Sequence, residues 1–332
     1  MPTPPDSPTS DEGASQPEER WPDLRSRRRT FFDCPPCEDL DDLDADVAFV
    51  GMPFDQGTFG RPGARFGPDG VRDARGYSYL GYGGLEFDRE AAGYFDSDLG
   101  TELLAGVTMA DCGNVTVLPA DVLENFRKLT ATVETIVQRG AFPVVVGGDH
   151  AITFPVVRGL STLAPLDIVH FDAHMDYTHQ TQGALYTHAS PIRRCRELPF
   201  VRNISSIGIR KESKRVYDEA VADGNLVITT RRFKRLGPQA AIDLVPASEN
   251  LYVTVDIDVL DPAHAPGTGA PEVGGLYYEE LRDSLVHLAG KHRVVAFDMV
   301  EVAPPYDHAE TTTMVASRLI IDLLSAVFPP RP

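Results

Sequence analysis

From residue 47 onward, short apolar runs alternate with longer amphipathic stretches, and this alternation restricts the fold of the chain most. The apolar runs lie at 47–51, 107–111, 143–146, 168–171, 204–209, 251–255 and 294–297. Apolar residues recur at helical spacing at 121–138, 215–222, 278–288 and 313–326. Short continuous apolar runs are typical of strands buried on both faces. The pattern therefore predicts a doubly wound parallel sheet with helices on both faces.

The length and charge of the chain exclude some classes of function. The chain has 332 residues, with 31 Lys and Arg against 49 Asp and Glu, which gives a net charge of −18. This charge repels phosphate backbones, so we expect no nucleic-acid partner, whereas it suits a small cationic substrate. The apolar runs are far shorter than the roughly 20 residues of a membrane span. The acidic N-terminus does not resemble a secretory signal, so we expect a cytoplasmic protein.

The first part of the chain differs from the rest in composition. Residues 1 to about 30 are rich in Pro, Ser, Glu and Asp and have no apolar periodicity. Such a segment buries too little surface to offset the entropy lost on ordering. We therefore predict a disordered acidic tail over residues 1–30 and one domain over residues 31–332.

Four cysteines in a chain of this length do not indicate a disulfide scaffold. Cys34 and Cys37 form a C-P-P-C motif, but no second pair is present to complete a tetrahedral zinc site. The preferred interpretation is a turn that carries two free thiols.

Acidic and imidazole side chains follow four of the predicted strands. The runs lead into G-G-D-H at 147–150, D-A-H-M-D at 172–176, D-I-D at 256–258 and D-M-V-E at 298–301. Functional groups of open parallel sheets gather beyond the carboxyl ends of the strands. We therefore expect these side chains to share one rim of the sheet. His170 is expected on the opposite side of its strand, in a buried, hydrogen-bonded position.

The spacing of these residues predicts a metal centre with six ligands. An i, i+2, i+4 spacing in an extended chain places side chains on one side. Single strand-end residues of these types commonly cap helices, but six at matched spacings favour cation binding, because bare clustered carboxylates repel one another. Two ions suit this number of ligands; Mn²⁺ is preferred, and Fe²⁺, Co²⁺ or Ni²⁺ are compatible. The predicted ligands are His150, Asp172, His174, Asp176, Asp256 and Asp258.

Three motifs resemble the signatures of the ureohydrolase family, which contains the arginases and agmatinases. They are G-G-D-H at 147–150, F-D-A-H-M-D at 171–176 and D-I-D-V-L-D-P-A-H-A-P-G-T-G-A-P at 256–271. The likeness also includes G-M-P-F-D at 51–55 and R-P-G-A-R-F-G-P at 61–68, and it continues to the last helix. It covers nearly all of the chain after the tail, and it is greatest toward the agmatinase-like branch.

The resemblance implies a three-layer α/β/α fold with a mainly parallel eight-stranded sheet and a di-manganese site. It assigns one ion to His150, Asp172, Asp176 and Asp256, and the other to Asp172, His174, Asp256 and Asp258, so that Asp172 and Asp256 bridge. It also implies a homo-oligomer, either a trimer or a hexamer.

The resemblance further implies a mechanism. A metal-bridging hydroxide would attack the guanidinium carbon of the substrate, while the Glu301 carboxylate holds the guanidinium. Asp176 would pass a proton to the departing amine, and His188 would act as a proton shuttle.

The expected reaction is hydrolysis of a guanidinium compound to urea and an amine, with agmatine, which gives putrescine, ranked first. Guanidinobutyrate, guanidinopropionate and guanidine remain alternatives, because Arg193, Arg194 and Arg210 lie where they could meet a substrate carboxylate. Arginine is disfavoured, since 177–190 lacks the Ser, Gly and Asn pattern of arginases. A dinuclear phosphoesterase would need an Asn-His pair that the sequence does not offer. A non-catalytic relative of the family is the remaining alternative.

Overall fold

The computed structural model describes residues 29–74, 93–97 and 99–329. Within these residues, eight strands form one sheet in which every neighbouring pair is parallel. Two further strands, β2 and β3, form a separate antiparallel hairpin. In chain order the strands are β1 (Val47–Gly51), β2 (Tyr94–Asp96), β3 (Thr101–Leu103), β4 (Met109–Asn114), β5 (Phe142–Val146), β6 (Leu166–Phe171), β7 (Val201–Ile209), β8 (Leu226–Thr229), β9 (Leu251–Asp256) and β10 (Val294–Val300).

Helices cover both faces of the sheet, which gives the domain three layers. In chain order they are α1 (Gly67–Asp73), α2 (Val122–Gln138), α3 (Thr153–Gly159), α4 (Pro191–Arg196), α5 (Lys214–Ala222), α6 (Thr230–Leu236), α7 (Pro238–Ile242), α8 (Tyr278–Lys291) and α9 (Thr311–Val327). Helices α1 and α6 to α9 cover what we call the first face, and α2 to α5 cover the second face. None of the helices in the described ranges is long and apolar enough to cross a membrane.

The central strands are apolar along their whole length because each is buried on both sides. In β1, Val47 and Phe49 pack into the core of the first face, while Ala48 and Val50 pack into that of the second. Successive side chains of a strand point to opposite faces, so both sets must be apolar.

The helices begin where local chemistry favours it. Asp121, for example, caps α2 by accepting a hydrogen bond from the backbone N–H three residues later.

The order of strands across the sheet is β4-β1-β5-β10-β9-β6-β7-β8. The chain passes from β5 to β6 across a space of two strands, which β9 and β10 later fill. The predicted parallel α/β sheet is confirmed, and the seven predicted runs lie in strands except for residues 107 and 108, which precede the start of β4 at Met109. The eighth strand, β8, lies outside those runs. The predicted end at 297 is wrong, because β10 continues to Val300.

The segment before β1 lies along the edge of the sheet. Pro36 forms a parallel bridge with Asp111 of β4, and the Cys37 N–H donates a hydrogen bond of 2.8 Å to the Asp111 carbonyl. The turn predicted for C-P-P-C is therefore wrong. Proline fixes its own φ and favours an extended conformation in the residue before it, so two successive prolines keep this segment extended. Residues 1–28 of the predicted tail lie outside the described residues.

Candidate metal centre

Four adjacent strands of the sheet, β5, β10, β9 and β6, carry the predicted site residues at their carboxyl ends. His150 lies in a short 3-10 turn after β5, and 172–176 follows β6 directly. Asp256 is the last residue of β9, and Asp258 lies in the turn that follows. The strand order thus brings together, on one rim, side chains that are far apart in the sequence.

The imidazole of His150 lies at the centre of the first group of predicted ligands. Its Nδ1 atom is 3.1 Å from an oxygen of Asp172, 3.0 Å from one of Asp176 and 3.2 Å from one of Asp256. Nδ1 is buried, yet it makes no hydrogen bond with acceptable geometry. A buried nitrogen that faces three carboxylate oxygens without a hydrogen bond has the arrangement of a metal ligand.

The second group of predicted ligands surrounds His174. The His174 Nδ1 atom is 3.2 Å from Oδ2 of Asp258 and 3.4 Å from Oδ1 of Asp172. Oδ2 of Asp258 is also buried without a hydrogen-bond partner. Asp172 directs Oδ2 to the first group and Oδ1 to the second, so its carboxylate lies between the two groups.

The electrostatics of the cluster require further positive charge. Burial, together with the neighbouring carboxylates, raises the pKa of Asp256 well above its usual range, and burial raises the pKa of Asp258 to about 6. Burial alone would also raise the pKa of Asp172, but three surrounding imidazoles outweigh it and lower that pKa well below its usual range. Even the three imidazoles of His150, His170 and His174 do not balance four buried carboxylates. Divalent cations would, and this donor set of carboxylates and imidazoles suits them.

The Glu301 carboxylate lies beside the first group. Its Oε1 atom accepts a hydrogen bond of 3.0 Å from the His150 backbone N–H and is 3.3 Å from Nδ1 of His188. Burial alone would lower the pKa of His188, but Glu301 outweighs it, and the pKa rises to about 9. Glu301 has a φ of +61°, a strained value for a residue with a side chain, and such strain is concentrated at functional sites.

Asp149, which the sequence places in the G-G-D-H motif without a role of its own, supports the loop around this carboxylate. Its buried carboxylate accepts hydrogen bonds from the backbone N–H groups of Gly57, at 2.7 Å, and Ala151, at 3.0 Å. Burial, reinforced by the charge of Glu301, raises the pKa of Asp149 to about 7. Asp149 therefore joins the loop after β1 to the loop after β5.

A chain of buried polar side chains orients the His150 imidazole through Nε2, the ring nitrogen that faces away from the carboxylates. Its Nε2 atom is 3.0 Å from the Thr254 hydroxyl oxygen, which is 3.3 Å from that of Thr153. Thr153 donates a hydrogen bond of 2.6 Å to Asp298, to which the Tyr252 hydroxyl also donates. Asp298 is predicted at a strand end but lies inside β10. Thr254 was missed, although it precedes Asp256 by two residues and so shares a face of β9 with it.

His170 lies closer to the centre than the sequence suggests. Its Nε2 atom is 2.8 Å from Oδ2 of Asp172, and its Nδ1 atom is 3.1 Å from the Ser206 hydroxyl. The expected buried, hydrogen-bonded position is found, but the expected side is wrong. Residues 170 and 172 are two apart in an extended chain, so both side chains point to one side.

The sequence profile of the Arginase family matches residues 45–325 of the chain. The chain belongs to the arginase family. The predicted resemblance to ureohydrolases is thereby confirmed, and so is the three-layer fold with eight parallel strands.

Named relatives in the arginase family cover most of this chain. The agmatinase of Bacillus subtilis (strain 168) is 36% identical over 283 residues, which cover 85% of this chain and 91% of that protein. A guanidinopropionase of Pseudomonas aeruginosa is 36% identical over 287 residues, which cover 84% and 85%. The solved structure of a proclavaminate amidinohydrolase from Streptomyces clavuligerus superposes with a TM-score of 0.79, with 31% identity over 90% of this chain and 96% of that one.

The arginines considered as partners for a substrate carboxylate are engaged within this arginase-family domain. Arg193 donates a hydrogen bond of 2.9 Å to Glu219, and Arg194 donates one of 2.8 Å to Glu197. Arg210 donates to backbone carbonyl oxygens of the loop after β9, at 2.6 to 3.2 Å. Arg193 thus joins α4 to α5, Arg194 bonds the end of α4, and Arg210 holds the loop after β9.

Proposed function

We propose that this chain is a metal-dependent amidinohydrolase that converts agmatine to putrescine and urea. One observation carries the proposal. The cluster around His150 and the cluster around His174 share Asp172, and both lie on the same rim of the sheet as the buried carboxylate of Glu301. The two clusters suit two divalent cations, and the Glu301 carboxylate suits a cationic guanidinium. The similarity to an agmatinase supports the choice of substrate.

The residues of the two groups would hold two ions. His150, Asp172, Asp176 and Asp256 would hold one, and Asp172, His174, Asp256 and Asp258 the other. We propose Mn²⁺ because the set is rich in carboxylates, with Fe²⁺, Co²⁺ or Ni²⁺ as the other ions that such ligands accept. Divalent ions held there would lower the pKa of bound water and so would supply the nucleophile for hydrolysis of the guanidinium.

The remaining side chains would bind the substrate and move its protons. The Glu301 carboxylate would pair with the planar guanidinium and orient its carbon toward the ions. A Cβ atom at Gly269 would lie 3.4 Å from Oε2 of Glu301, so the glycine keeps this oxygen open. Asp176 would give a proton to the departing amine, and His188, beside Glu301, would exchange protons with solvent.

A urea-release screen tests the proposal. Agmatine, guanidinobutyrate, guanidinopropionate, arginine and guanidine are each incubated with the protein and Mn²⁺ or Ni²⁺. We expect the highest kcat/KM with agmatine and Mn²⁺. Glu301→Gln should lower kcat/KM about 10- to 150-fold, since a charge-assisted hydrogen bond contributes about 1.5–3 kcal/mol. The exposed Glu279→Gln is the matched control and should leave activity unchanged. If no compound yields urea and Asp172→Ala leaves metal content unchanged, the proposal is refuted.

A guanidinopropionase activity is the second candidate, because the guanidinopropionase relative is as similar as the agmatinase. A higher kcat/KM with guanidinopropionate in the same screen would favour it. Bound metal without urea release from any substrate would favour a non-catalytic role.

We also propose that the protein is cytoplasmic and forms a trimer or a hexamer, with a disordered tail over residues 1–30 before one domain at 31–332. Light scattering coupled to gel filtration would measure the number of subunits. Limited proteolysis should remove the tail first, and a tail as resistant as the domain would contradict its predicted disorder.

A further inference from the structure

Three of the four cysteines lie near one edge of the sheet, where the segment before β1 runs beside β4. The Asp111 N–H donates a hydrogen bond of 2.9 Å to the Pro35 carbonyl, and the Cys37 N–H donates one of 2.8 Å to the Asp111 carbonyl. With the parallel bridge between Pro36 and Asp111, these bonds fix the register of the two segments. In that register, Cys37 lies beside Cys112.

The two faces of the sheet separate the cysteines of the C-P-P-C motif. Cys34 is buried in the core of the first face, whereas Cys37 packs against the core of the second face. Three residues of extended chain also span about 10 Å, and a disulfide needs Cα atoms within about 7 Å. The two cysteines of the motif therefore cannot join to each other without a rearrangement of the backbone.

Cys112 packs against the same core of the second face as Cys37. Neighbouring strands lie about 5 Å apart, which is within the Cα separation that a disulfide spans. The Cys37 thiol donates a hydrogen bond of 3.1 Å to the Asp39 carbonyl oxygen. Burial, followed by the neighbouring Cys37 thiol, raises the pKa of Cys112 to about 12, so Cys37 is the thiol that attacks first. Both side chains are half-buried, so the pair reaches solvent.

Metal binding does not account for these thiols. Within the described ranges, two groups of side chains are compact enough to hold a metal ion, and both lie in the candidate metal centre. The nearby cation, Arg72, is bound to Asp111 at 2.8 Å. Oxidation of the thiols is therefore the chemistry to consider for Cys37 and Cys112.

We propose that Cys37 and Cys112 form a redox-modifiable pair that a hydroperoxide converts to a disulfide. The Cys37 thiolate attacks one oxygen of hydrogen peroxide, which breaks the O–O bond and gives a sulfenic acid, while the other oxygen leaves and takes up a proton as water. The second thiol then attacks the sulfenic sulfur, forms the S–S bond and releases the sulfenic oxygen as a second water. Two thiols lose two electrons, and hydrogen peroxide gains them. The new bond would fasten the edge segment to β4.

Thiol counting on the full chain tests the proposal. The protein is treated with hydrogen peroxide, quenched and denatured, and its free thiols are titrated. We expect the count to fall from four to two per chain and to return to four with dithiothreitol. Peptide mapping without reduction should show residues 37 and 112 joined. The oxidised protein should also unfold at a higher temperature, because the bond restricts the unfolded chain.

Variants identify the partners. Cys37→Ser and Cys37→Ala should each keep all three remaining thiols after peroxide, whereas Cys112→Ser should form no cross-link and lose at most the Cys37 thiol, as a sulfenic acid. Cys195→Ser, a buried control on α4, and Cys34→Ser should each fall from three thiols to one. An unchanged thiol count in the unmodified chain would overturn the proposal. So would a cross-link that includes Cys34, or conversion of Cys37 to a sulfinic acid without a cross-link.

Discussion

Replacement of Thr254 by Val should weaken the binding of one metal ion far more than that of the other. The two side chains have almost the same shape, but Val cannot hydrogen-bond to Nε2 of His150, which lies 3.0 Å from the Thr254 hydroxyl. Thr254 is fully buried, so water cannot replace the lost partner. An unsatisfied buried group costs about 1–3 kcal/mol, and loss of a group that supports a metal-bound imidazole typically lowers affinity about 10- to 100-fold.

Titration of metal-free protein with Mn²⁺ in a calorimeter would measure this effect. We expect the step assigned to the His150 group to weaken about 10- to 100-fold and the step assigned to the His174 group to change little. Thr254→Ser keeps the hydroxyl and is the matched control, with both steps close to those of the unmodified chain. Wild-type affinity in Thr254→Val, or an equal loss in the Ser variant, would refute the orienting role of the hydroxyl.

Three further predictions concern stability. Gly148→Ala should lower the free energy of unfolding by about 3 kcal/mol or more in urea titrations, because its Cβ atom would lie 1.6 Å from the Phe54 carbonyl oxygen; Gly290→Ala, which meets nothing within 4 Å, should not lower it. Burial raises the pKa of Asp167, but its ion pair with Arg202 outweighs this and lowers that pKa below the unfolded value. Asp167 therefore stabilises the fold above about pH 4, and this contribution disappears as pH falls through the folded pKa. Urea titrations should show Asp167→Asn to be less stable than the unmodified chain at pH 7, with a deficit that shrinks as pH falls below about 4; a deficit as large at pH 3 as at pH 7 would contradict the ion pair. Mn²⁺ should raise the thermal unfolding midpoint and a chelator should reverse the rise, since the ions bind only the folded chain; a midpoint insensitive to both would argue against the site.

The parts of the fold that follow from local sequence were predicted well. The run at 251–255 is apolar at every position, and it forms β9, buried on both faces. The L-V-I-T sequence of β8 is too short to distinguish a strand from the start of the following helix, so periodicity alone could not identify it. The spatial order of strands was also outside the reach of periodicity, because it depends on contacts between residues distant in the chain.

The same distinction applies to the site. The spacing of 172–176 placed the ligands together because it acts within one strand end. The roles of Thr153 and Asp298, in contrast, depend on two segments that meet only in the folded chain. The sequence also placed His170 on the wrong side, although the two-residue alternation that locates the ligands applies to it equally.

The central position of β9 and β10 restricts when the site can form during synthesis. Both strands lie between β5 and β6 in the sheet, but β9 begins about eighty residues after the end of β6, and β10 follows later still. A ribosome-bound chain that ends before residue 251 therefore exposes the unpaired edges of β5 and β6 and lacks Asp256, Asp258 and Glu301. Exposed strand edges favour aggregation. We expect this nascent chain to depend on chaperones, and metal ions to become tightly bound only after the last third of the protein has been translated.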